Sequence, residues 1–214
     1  INMVLLFDMG GVLVDLDLDL TLAGFDQIGI DLRPYLDSAR QAGFLSDYES
    51  GKINTETMLN EMRALSTKSD LTDDEIAAAW CRLLVRLPQE RLELILKARR
   101  HYRIALLSNT NPLSWGKART EFIEQQGHTV SDFFDETFLS FEMGVEKPAP
   151  EIFQKAVEAL HCRPEEVLFF DDAAANCEAA RREGLRAFHT PADGSWMQLF
   201  DDAGRLKDEA NAGY

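Results

Sequence analysis

The sequence VLLFDMGGVLVD, residues 4–15, decides the fold. Residues 4–7 are apolar, as in a strand that is buried on both faces, and Asp8 follows them directly. Gly10 and Gly11 come next, and because glycine has no side chain, the backbone there can turn sharply and approach a ligand closely. A carboxylate at the end of a buried strand is well placed to act as a nucleophile. We therefore take Asp8 as the first candidate site residue.

Further apolar runs of strand length follow at wide intervals, with helical patterns between them. This alternation predicts an α/β fold, a Rossmann-like parallel sheet with helices on both faces. A short helix is predicted near the end of the chain, over residues 196–206. The predicted strands of the sheet are 4–7, 104–107, 137–139, 167–170 and 186–188.

Residues from about 16 to 100 contain no convincing strand pattern. Thr72 and Glu75 have the spacing of a capping box, in which each side chain accepts a hydrogen bond from the other residue's backbone N–H. A bundle of about four helices over 17–87 is predicted, inserted into a core domain made of 1–16 and 88–214. The predicted helices are 18–27, 34–41, 56–65, 73–85 and 89–99.

The inserted bundle needs its own apolar centre. Core packing is a better explanation than ligand contact for its large apolar side chains, because such residues are usually buried. The residues predicted to pack inside the bundle are Phe25, Phe44, Leu59, Met62, Trp80 and Leu83.

Composition excludes several classes of protein. The chain has 214 residues, with 37 acidic and 22 basic residues giving a formal net charge of −15, and it has no Lys/Arg block, which argues against nucleic acid as a partner. Cys81, Cys162 and Cys177 lack metal or redox spacing and favour free thiols in a reducing compartment. No apolar stretch approaches the roughly 20 residues of a membrane span, so a cytoplasmic protein without membrane contact is expected.

Two adjacent carboxylates, Asp171 and Asp172, follow the apolar run 167–170. Like charges so close resist joint ionisation unless a cation lies beside them. Mg²⁺ prefers oxygen ligands and usually keeps waters and a substrate phosphate oxygen, so few protein ligands are needed. A solvated acidic helix N-terminus would also suit these residues. Phe169 and Phe170 indicate an interior strand and favour the metal site.

Polar groups at two further positions suit a phosphate. Ser108 and Asn109 follow the run 104–107, where hydroxyl, amide and backbone N–H groups could hold phosphate oxygens, although the same cluster would suit a simple turn. Lys147 lies in a loop before Pro148. Its ammonium could neutralise charge in a phosphoryl transition state, although most surface lysines are only solvated.

Four segments together resemble, in order, the motifs of the haloacid dehalogenase-like hydrolase superfamily; they are 8–15, 106–111, 144–148 and 169–176. The resemblance implies that Asp8 attacks phosphorus and forms an aspartyl phosphate, which divides one hard hydrolysis into two easier steps. It also implies that the inserted bundle is a cap that covers the site and selects the substrate. The expected enzyme is a phosphoric monoester hydrolase acting on a small phosphorylated metabolite, as a monomer or homodimer.

The resemblance also implies a role for each site residue. Asp8, Asp172 and the carbonyl of Gly10 would bind Mg²⁺ directly. Asp171 and Asn176 would lie next to these ligands and orient them without binding the metal themselves. Asp8 and Lys147 would be catalytic. The residues implied to hold the phosphate are Met9, Gly10, Ser108, Asn109 and Lys147.

Gly10 departs from the pattern of the family. Phosphatases of this family generally carry a second Asp at this position, which protonates the leaving oxygen and then activates the attacking water. Loss of such a group typically lowers the reaction rate by about 10²- to 10⁴-fold. Three explanations of Gly10 are open: turnover is slow, the leaving group needs little protonation, or the cap or the substrate supplies the proton donor. The chain looks most like the bacterial hexose-1-phosphate phosphatases, which share this substitution, and the similarity extends over the whole length, including the cap segment 48–53. This resemblance implies glucose 1-phosphate or a related sugar phosphate as the substrate.

Three alternatives remain open at this point. A metal-free 2-haloacid dehalogenase would direct Asp8 at carbon and would need no acid at position 10. A phosphonate hydrolase would need a cap lysine for a Schiff base, for which Lys52 and Lys68 are the candidates. A protein that binds a phosphorylated ligand without turnover would need no proton donor.

Overall fold

The computed structural model describes residues 3–36 and 43–211. Its strands are β1 (Val4–Phe7), β2 (Asp15–Leu16), β3 (Leu84–Arg86), β4 (Arg103–Ser108), β5 (Glu136–Leu139), β6 (Val167–Asp171) and β7 (Arg186–His189). In the described ranges, a five-stranded parallel sheet has the order β5-β4-β1-β6-β7. The predicted α/β sheet is confirmed, and every predicted strand forms at its expected place, to within two residues at either end.

Helices fill the connections between the strands. They are α1 (Leu18–Gln27), α2 (Phe44–Glu49), α3 (Thr55–Leu65), α4 (Asp73–Cys81), α5 (Gln89–Ala98), α6 (Pro112–Lys117), α7 (Val130–Phe133), α8 (Ser140–Met143), α9 (Pro150–Leu160), α10 (Ala174–Arg182) and α11 (Asp208–Asn211). Short 3₁₀ segments occur at Arg33–Tyr35, Pro164–Glu166 and Ser195–Leu199, and one π-helical turn at Ala118–Ile123. None of the helices in the described residues has the length and apolar character that crossing a bilayer requires.

The central strand β1 is fully buried because both faces of the sheet are covered. Leu5 and Phe7 face one apolar cluster, which includes residues of α5, while Val4 and Leu6 face another, which includes residues of α9 and α10. The ring of Phe7 stacks on Phe170 of the neighbouring strand at 4.6 Å. An uninterrupted apolar run is therefore what this central position requires.

Helices α1 to α4 enclose a separate apolar cluster, which we call the cap core. The predicted members Phe25, Leu59, Met62 and Trp80 are buried in it, and Phe44 packs against it half-buried. Leu83 was predicted to belong here but instead lines a cavity at the boundary with the sheet domain. The predicted capping box of Thr72 and Glu75 forms at the start of α4. The domain boundaries at 16/17 and 87/88 stay a prediction.

The absence of strands between residues 16 and 100 was a wrong prediction. Helix α4 ends at Cys81 rather than at residue 85, and β3 pairs antiparallel with β2. Arg86 joins Asp15 across the pair in an ion pair of 2.8 Å. Strands of two and three residues are too short to show the alternation of apolar and polar residues that identifies a strand. Their pairing also joins segments that lie far apart in the chain, so no local pattern predicts it.

Two predicted helices also differ. The first turn of the predicted helix 34–41 is part of the 3₁₀ segment Arg33–Tyr35, and the rest of that prediction extends outside the described residues. The predicted helix 196–206 is wrong beyond residue 199, where Phe200 forms an antiparallel bridge with Leu206. Asp201 explains the change, because its Oδ1 accepts hydrogen bonds from the backbone N–H groups of residues 203 and 205 and closes a turn. Helix α2 was not predicted.

Cys81, Cys162 and Cys177 are free thiols, as expected.

Candidate active site

The predicted site residues lie where β1, β4 and β6 end at the same edge of the sheet. The chain passes from β1 to β4 on one side, and β6 lies on the other side of β1, so the connections diverge at β1. In open parallel sheets, such a point leaves a crevice beyond the carboxyl ends of the strands. Asp8 and Asp171 therefore stand on either side of this crevice because of the strand order alone, and Ser108 ends the strand on the other side of β1.

The turn after Asp8 depends on Gly11, whose φ is +83°. A β-carbon on Gly11 would overlap the carboxylate of Asp172, so glycine is required both for the backbone conformation and for this close approach. The Val12 carbonyl accepts hydrogen bonds from Trp196 Nε1 at 3.0 Å and Arg91 Nη1 at 3.2 Å. Buried side chains from distant segments thus hold the turn in place.

Lys147 lies at the centre of the buried charges. Its Nζ is 2.8 Å from Asp8 Oδ1, 2.9 Å from Asp171 Oδ2 and 3.0 Å from the Leu107 carbonyl. Burial alone would lower the pKa of Lys147, but the negative charges of Asp171 and Asp8 raise it above its ordinary value. Lys147 is therefore a permanent cation in direct contact with the candidate nucleophile.

The side chain of Asn109 holds the Lys147 loop. Its Nδ2 donates to the Lys147 carbonyl at 2.9 Å, and its Oδ1 accepts from the Lys147 backbone N–H at 2.8 Å. One N–H of the amide group that was predicted to hold phosphate is thus engaged by the protein, and phosphate binding by its second N–H or by the Asn109 backbone stays a prediction. Ser108 is buried and lines the cavity as expected.

Asp171 is fully engaged by neighbouring donors. Its Oδ1 accepts from the Ala173 backbone N–H at 2.8 Å, and its Oδ2 accepts from Asn176 Nδ2 at 3.1 Å as well as from Lys147. Asp172 is half-buried, and His189 Nε2 lies 2.9 Å from its backbone carbonyl. This contrast fits the expected division, in which Asp172 contacts a cation and Asp171 orients its surroundings.

The donor set fits a hard divalent cation. Asp8, Asp171 and Asp172 can each offer one oxygen, and these oxygens lie within 4.8 Å of one another. Burial, followed by the charge of Asp171, raises the pKa of both Asp8 and Asp172, which means that negative charge is disfavoured in this cluster and that a bound cation would offset the cost. Carboxylate oxygens with the nearby Gly10 carbonyl match the preferences of Mg²⁺.

A small cavity of about 60 Å³ lies between the cap core and the end of the sheet. From the sheet domain and the segment at β2, it is lined by Met9, Gly10, Leu16, Ser108, Asn109, Thr110, Asn111 and Ser114, and from the cap side by Glu49, Trp80, Leu83 and Leu84. The predicted residues Met9, Gly10 and Ser108 thus face one enclosed space, which the cap closes on the opposite side.

Sequence reasoning missed one charged residue of this cavity, Glu49. It is the last residue of α2 and is 9% exposed. Burial, followed by the charge of Glu146, raises the pKa of Glu49 to about 8. Its segment, 48–53, resembles that of the hexose-1-phosphate phosphatases, which was the one signal for it in the sequence; its burial arises only when the cap packs against the loop that carries Glu146.

The fold and the site together define a hydrolase with an α/β core, a helical segment between β2 and β3, and a lysine-bridged aspartate cluster. The haloacid dehalogenase-like hydrolase family matches residues 3–184, and the chain belongs to this family. The predicted family and the prediction of a hydrolase are therefore confirmed.

One curated protein and two solved structures are similar over nearly the whole chain. The D-ribitol-5-phosphate phosphatase of Bacteroides thetaiotaomicron is 32% identical over 195 residues, 91% of this chain and 94% of that protein. A haloacid dehalogenase family enzyme from the same organism, solved as a mutant with magnesium and inorganic phosphate, has a TM-score of 0.90 and 33% identity, covering 94% of this chain and 100% of that one. A predicted HAD-like hydrolase from Porphyromonas gingivalis has a TM-score of 0.84 and 32% identity, covering 92% and 95%.

Proposed function

We propose that this protein is a Mg²⁺-dependent phosphatase that hydrolyses a small sugar or polyol phosphate through an aspartyl phosphate on Asp8. One observation carries the proposal: Lys147 Nζ joins Asp8 at 2.8 Å and Asp171 at 2.9 Å, beside Asp172, at the end of the sheet. A nucleophilic carboxylate, a fixed cation and a set of metal ligands are the groups that phosphoryl transfer requires.

The residues of this chain have defined tasks in the first step. The Asp8 carboxylate is oriented through Oδ1, which accepts from the Met9 backbone N–H at 2.8 Å and from Lys147. Attack forms a bond from Asp8 to phosphorus as the ester oxygen departs, and Lys147 offsets the negative charge that gathers on the phosphoryl oxygens. Mg²⁺, held by Asp8, Asp172 and the Gly10 carbonyl, would act as the Lewis acid on the same phosphoryl group.

The structure gives reasons to prefer this reaction over the alternatives. A metal-free dehalogenase has no need of the adjacent Asp171 and Asp172. A phosphonate hydrolase needs a lysine in the cavity, but Lys52 is exposed and pairs with Asp47 at 3.8 Å, and Lys68 donates to the Gln27 carbonyl on the surface. Neither lysine lines the cavity. Binding of a phosphorylated ligand without turnover is the alternative that an assay must decide.

One relative supports the proposed substrate class. A D-ribitol-5-phosphate phosphatase is 32% identical to this chain, which makes acyclic polyol phosphates candidates beside glucose 1-phosphate. The two differ in the leaving group, because the anomeric hydroxyl of glucose is more acidic than the primary alcohol of ribitol. A preference for ribitol 5-phosphate would demand an efficient proton donor.

The test is phosphate release from a panel that contains ribitol 5-phosphate and glucose 1-phosphate, with Mg²⁺ and with a chelator, beside the variant Asp8→Asn. We expect release that requires Mg²⁺ and is lost in Asp8→Asn. Release of halide from a 2-haloacid that persists with the chelator would instead identify a dehalogenase. Binding of the phosphates without any release would identify a binding protein.

A further inference from the structure

A departing alkoxide needs a proton, and the carboxylates of the sheet domain are not free to supply one. Asp171 accepts hydrogen bonds from Lys147, Ala173 and Asn176, and Asp172 belongs to the proposed metal site. Among the described residues that line the cavity, Glu49 is the only one with a titratable side chain. It approaches from the cap, opposite Met9 and Gly10.

The environment of Glu49 fixes its position. The Asn111 side chain lines the same cavity as the Glu49 carboxyl group. Asn111 Oδ1 already accepts from the Ser114 backbone N–H at 2.9 Å and from Trp80 Nε1 at 3.3 Å, which leaves its amide N–H groups for Glu49. Asn111 is thus held by two donors in an orientation that directs its N–H groups away from them and makes them available to the Glu49 carboxyl group.

Glu146 contacts Glu49 on another side. Burial, followed by the negative charge of Glu146, raises the pKa of the Glu49 carboxyl group. Glu146 is anchored in turn, since its Oε2 accepts from Ser46 Oγ of α2 at 2.6 Å. Of the charged groups around Glu49, Glu146 favours the protonated carboxyl and the more distant Lys147 favours the carboxylate.

We propose that Glu49 is the proton donor to the leaving oxygen, a catalytic residue that the cap supplies to the cavity. The inference rests on the proposed phosphatase function and deepens it. As the bond from phosphorus to the ester oxygen breaks, its electron pair passes to that oxygen, which takes the proton of Glu49 and leaves as a neutral alcohol. The Glu49 carboxylate then accepts a proton from the water that attacks the aspartyl phosphate, and inorganic phosphate is released.

The raised pKa of Glu49 agrees with this role. With a pKa of about 8, the carboxyl group is mostly protonated at neutral pH but can still give up its proton. A general acid works best when its pKa lies near the working pH. An ordinary exposed glutamate would be ionised and could not donate.

Two substrates distinguish proton donation from a structural role. Glu49→Gln keeps the size of the side chain and an N–H donor towards Glu146, but has no acidic proton to transfer. For ribitol 5-phosphate, whose primary alcohol is a poor leaving group, we expect the rate of phosphoenzyme formation in the first turnover to fall about 100-fold or more. For p-nitrophenyl phosphate, whose phenolate leaves without protonation, we expect the burst rate to stay within about threefold of wild type.

The exposed cap residue Glu61 provides the matched control, because Glu61→Gln removes a carboxylate of the same domain far from the cavity lining and should leave both rates unchanged. Equal losses on both substrates in Glu49→Gln would overturn the proposal, since a misplaced cap affects every ester alike. Equal rates on ribitol 5-phosphate before and after substitution would also overturn it. Failure of the proposed function looks different, because wild-type protein would then release no phosphate from either substrate.

A pH profile supplies a second readout. Glu146→Gln removes the negative neighbour that raises the pKa of Glu49, so the alkaline limb of kcat for an alkyl phosphate should move to lower pH. A limb that stays in place in Glu146→Gln would contradict the assignment of that limb to Glu49.

Discussion

A β-carbon placed on Gly10 would lie 2.9 Å from Cδ1 of Leu16. Leu16, the second residue of β2, therefore occupies the space into which a side chain at position 10 would extend. The family's usual position for a proton donor is thus filled by an apolar side chain from the base of the cap. Glu49 faces the same cavity from the other side.

This arrangement predicts the behaviour of Gly10→Asp. In wild-type protein the substitution should leave kcat within about threefold, because Glu49 already supplies the proton and Leu16 must move aside. In the Glu49→Gln background, the same substitution should restore at least about tenfold of the lost rate on an alkyl phosphate. Steady-state kinetics of the two single variants and the double variant test this. A large gain in the otherwise wild-type protein would mean that no donor was present before.

Removing the buried lysine should destabilise the metal-free protein. Lys147→Met leaves Asp8 and Asp171 facing each other without a cation, and such an unpaired buried charge costs about 3 kcal/mol in free energy of unfolding. Urea denaturation at neutral pH measures the loss, which should shrink in acid as the carboxylates become protonated. Lys155→Met, an exposed lysine that contacts the Met143 carbonyl, is the control. A similar small effect of both substitutions would contradict this prediction.

The two adjacent aspartates should affect metal binding unequally. Asp172→Asn removes a direct ligand and should weaken Mg²⁺ binding by more than about 100-fold, whereas Asp171→Asn should weaken it by about tenfold, as removal of a supporting group does. Calorimetric titration with Mg²⁺ distinguishes the two. Asp74→Asn, at an exposed position in α4, serves as the control. The reverse order of effects would assign the ligand to Asp171.

Glu49 also predicts how stability changes with pH. A carboxyl group whose pKa rises from 4.5 to about 8 on folding keeps a proton that the unfolded chain has lost, so folding stability falls as the pH increases through that interval. Glu49→Gln should show a flatter dependence and should be more stable than wild type near pH 8. Thermal unfolding without metal, at pH values across the interval, tests the difference. Parallel curves would show that Glu49 keeps an ordinary pKa in the folded protein.

The strands and the carboxylates beside them could be predicted from the sequence because their signals are local. The run before Asp8 is apolar at every position, which only a strand buried on both faces requires, and the position of Asp8 after it follows from chain order. The pair Asp171 and Asp172 is equally visible, because adjacent like charges after an apolar strand need an explanation of their own.

The role of Asn109 and the burial of Glu49 could not be predicted in the same way. Both depend on contacts with the loop that carries Glu146 and Lys147, about 38 and 97 residues further along the chain. The pairing of β2 with β3 escaped prediction for the same reason, since a two-residue strand has stability only through its partner. What the sequence pattern missed is thus mainly what the packing of the cap on the sheet domain creates.

That small antiparallel pair has a wider consequence. The chain leaves the sheet domain through β2 and returns through β3, and Asp15 lies directly opposite Arg86. The whole inserted segment is consequently attached at one point, and the order of the central strands does not depend on its length or content. Evolution can exchange or enlarge such a module without rebuilding the phosphoryl-transfer chemistry, and when the exchanged module also carries the acid, substrate choice and leaving-group chemistry change together.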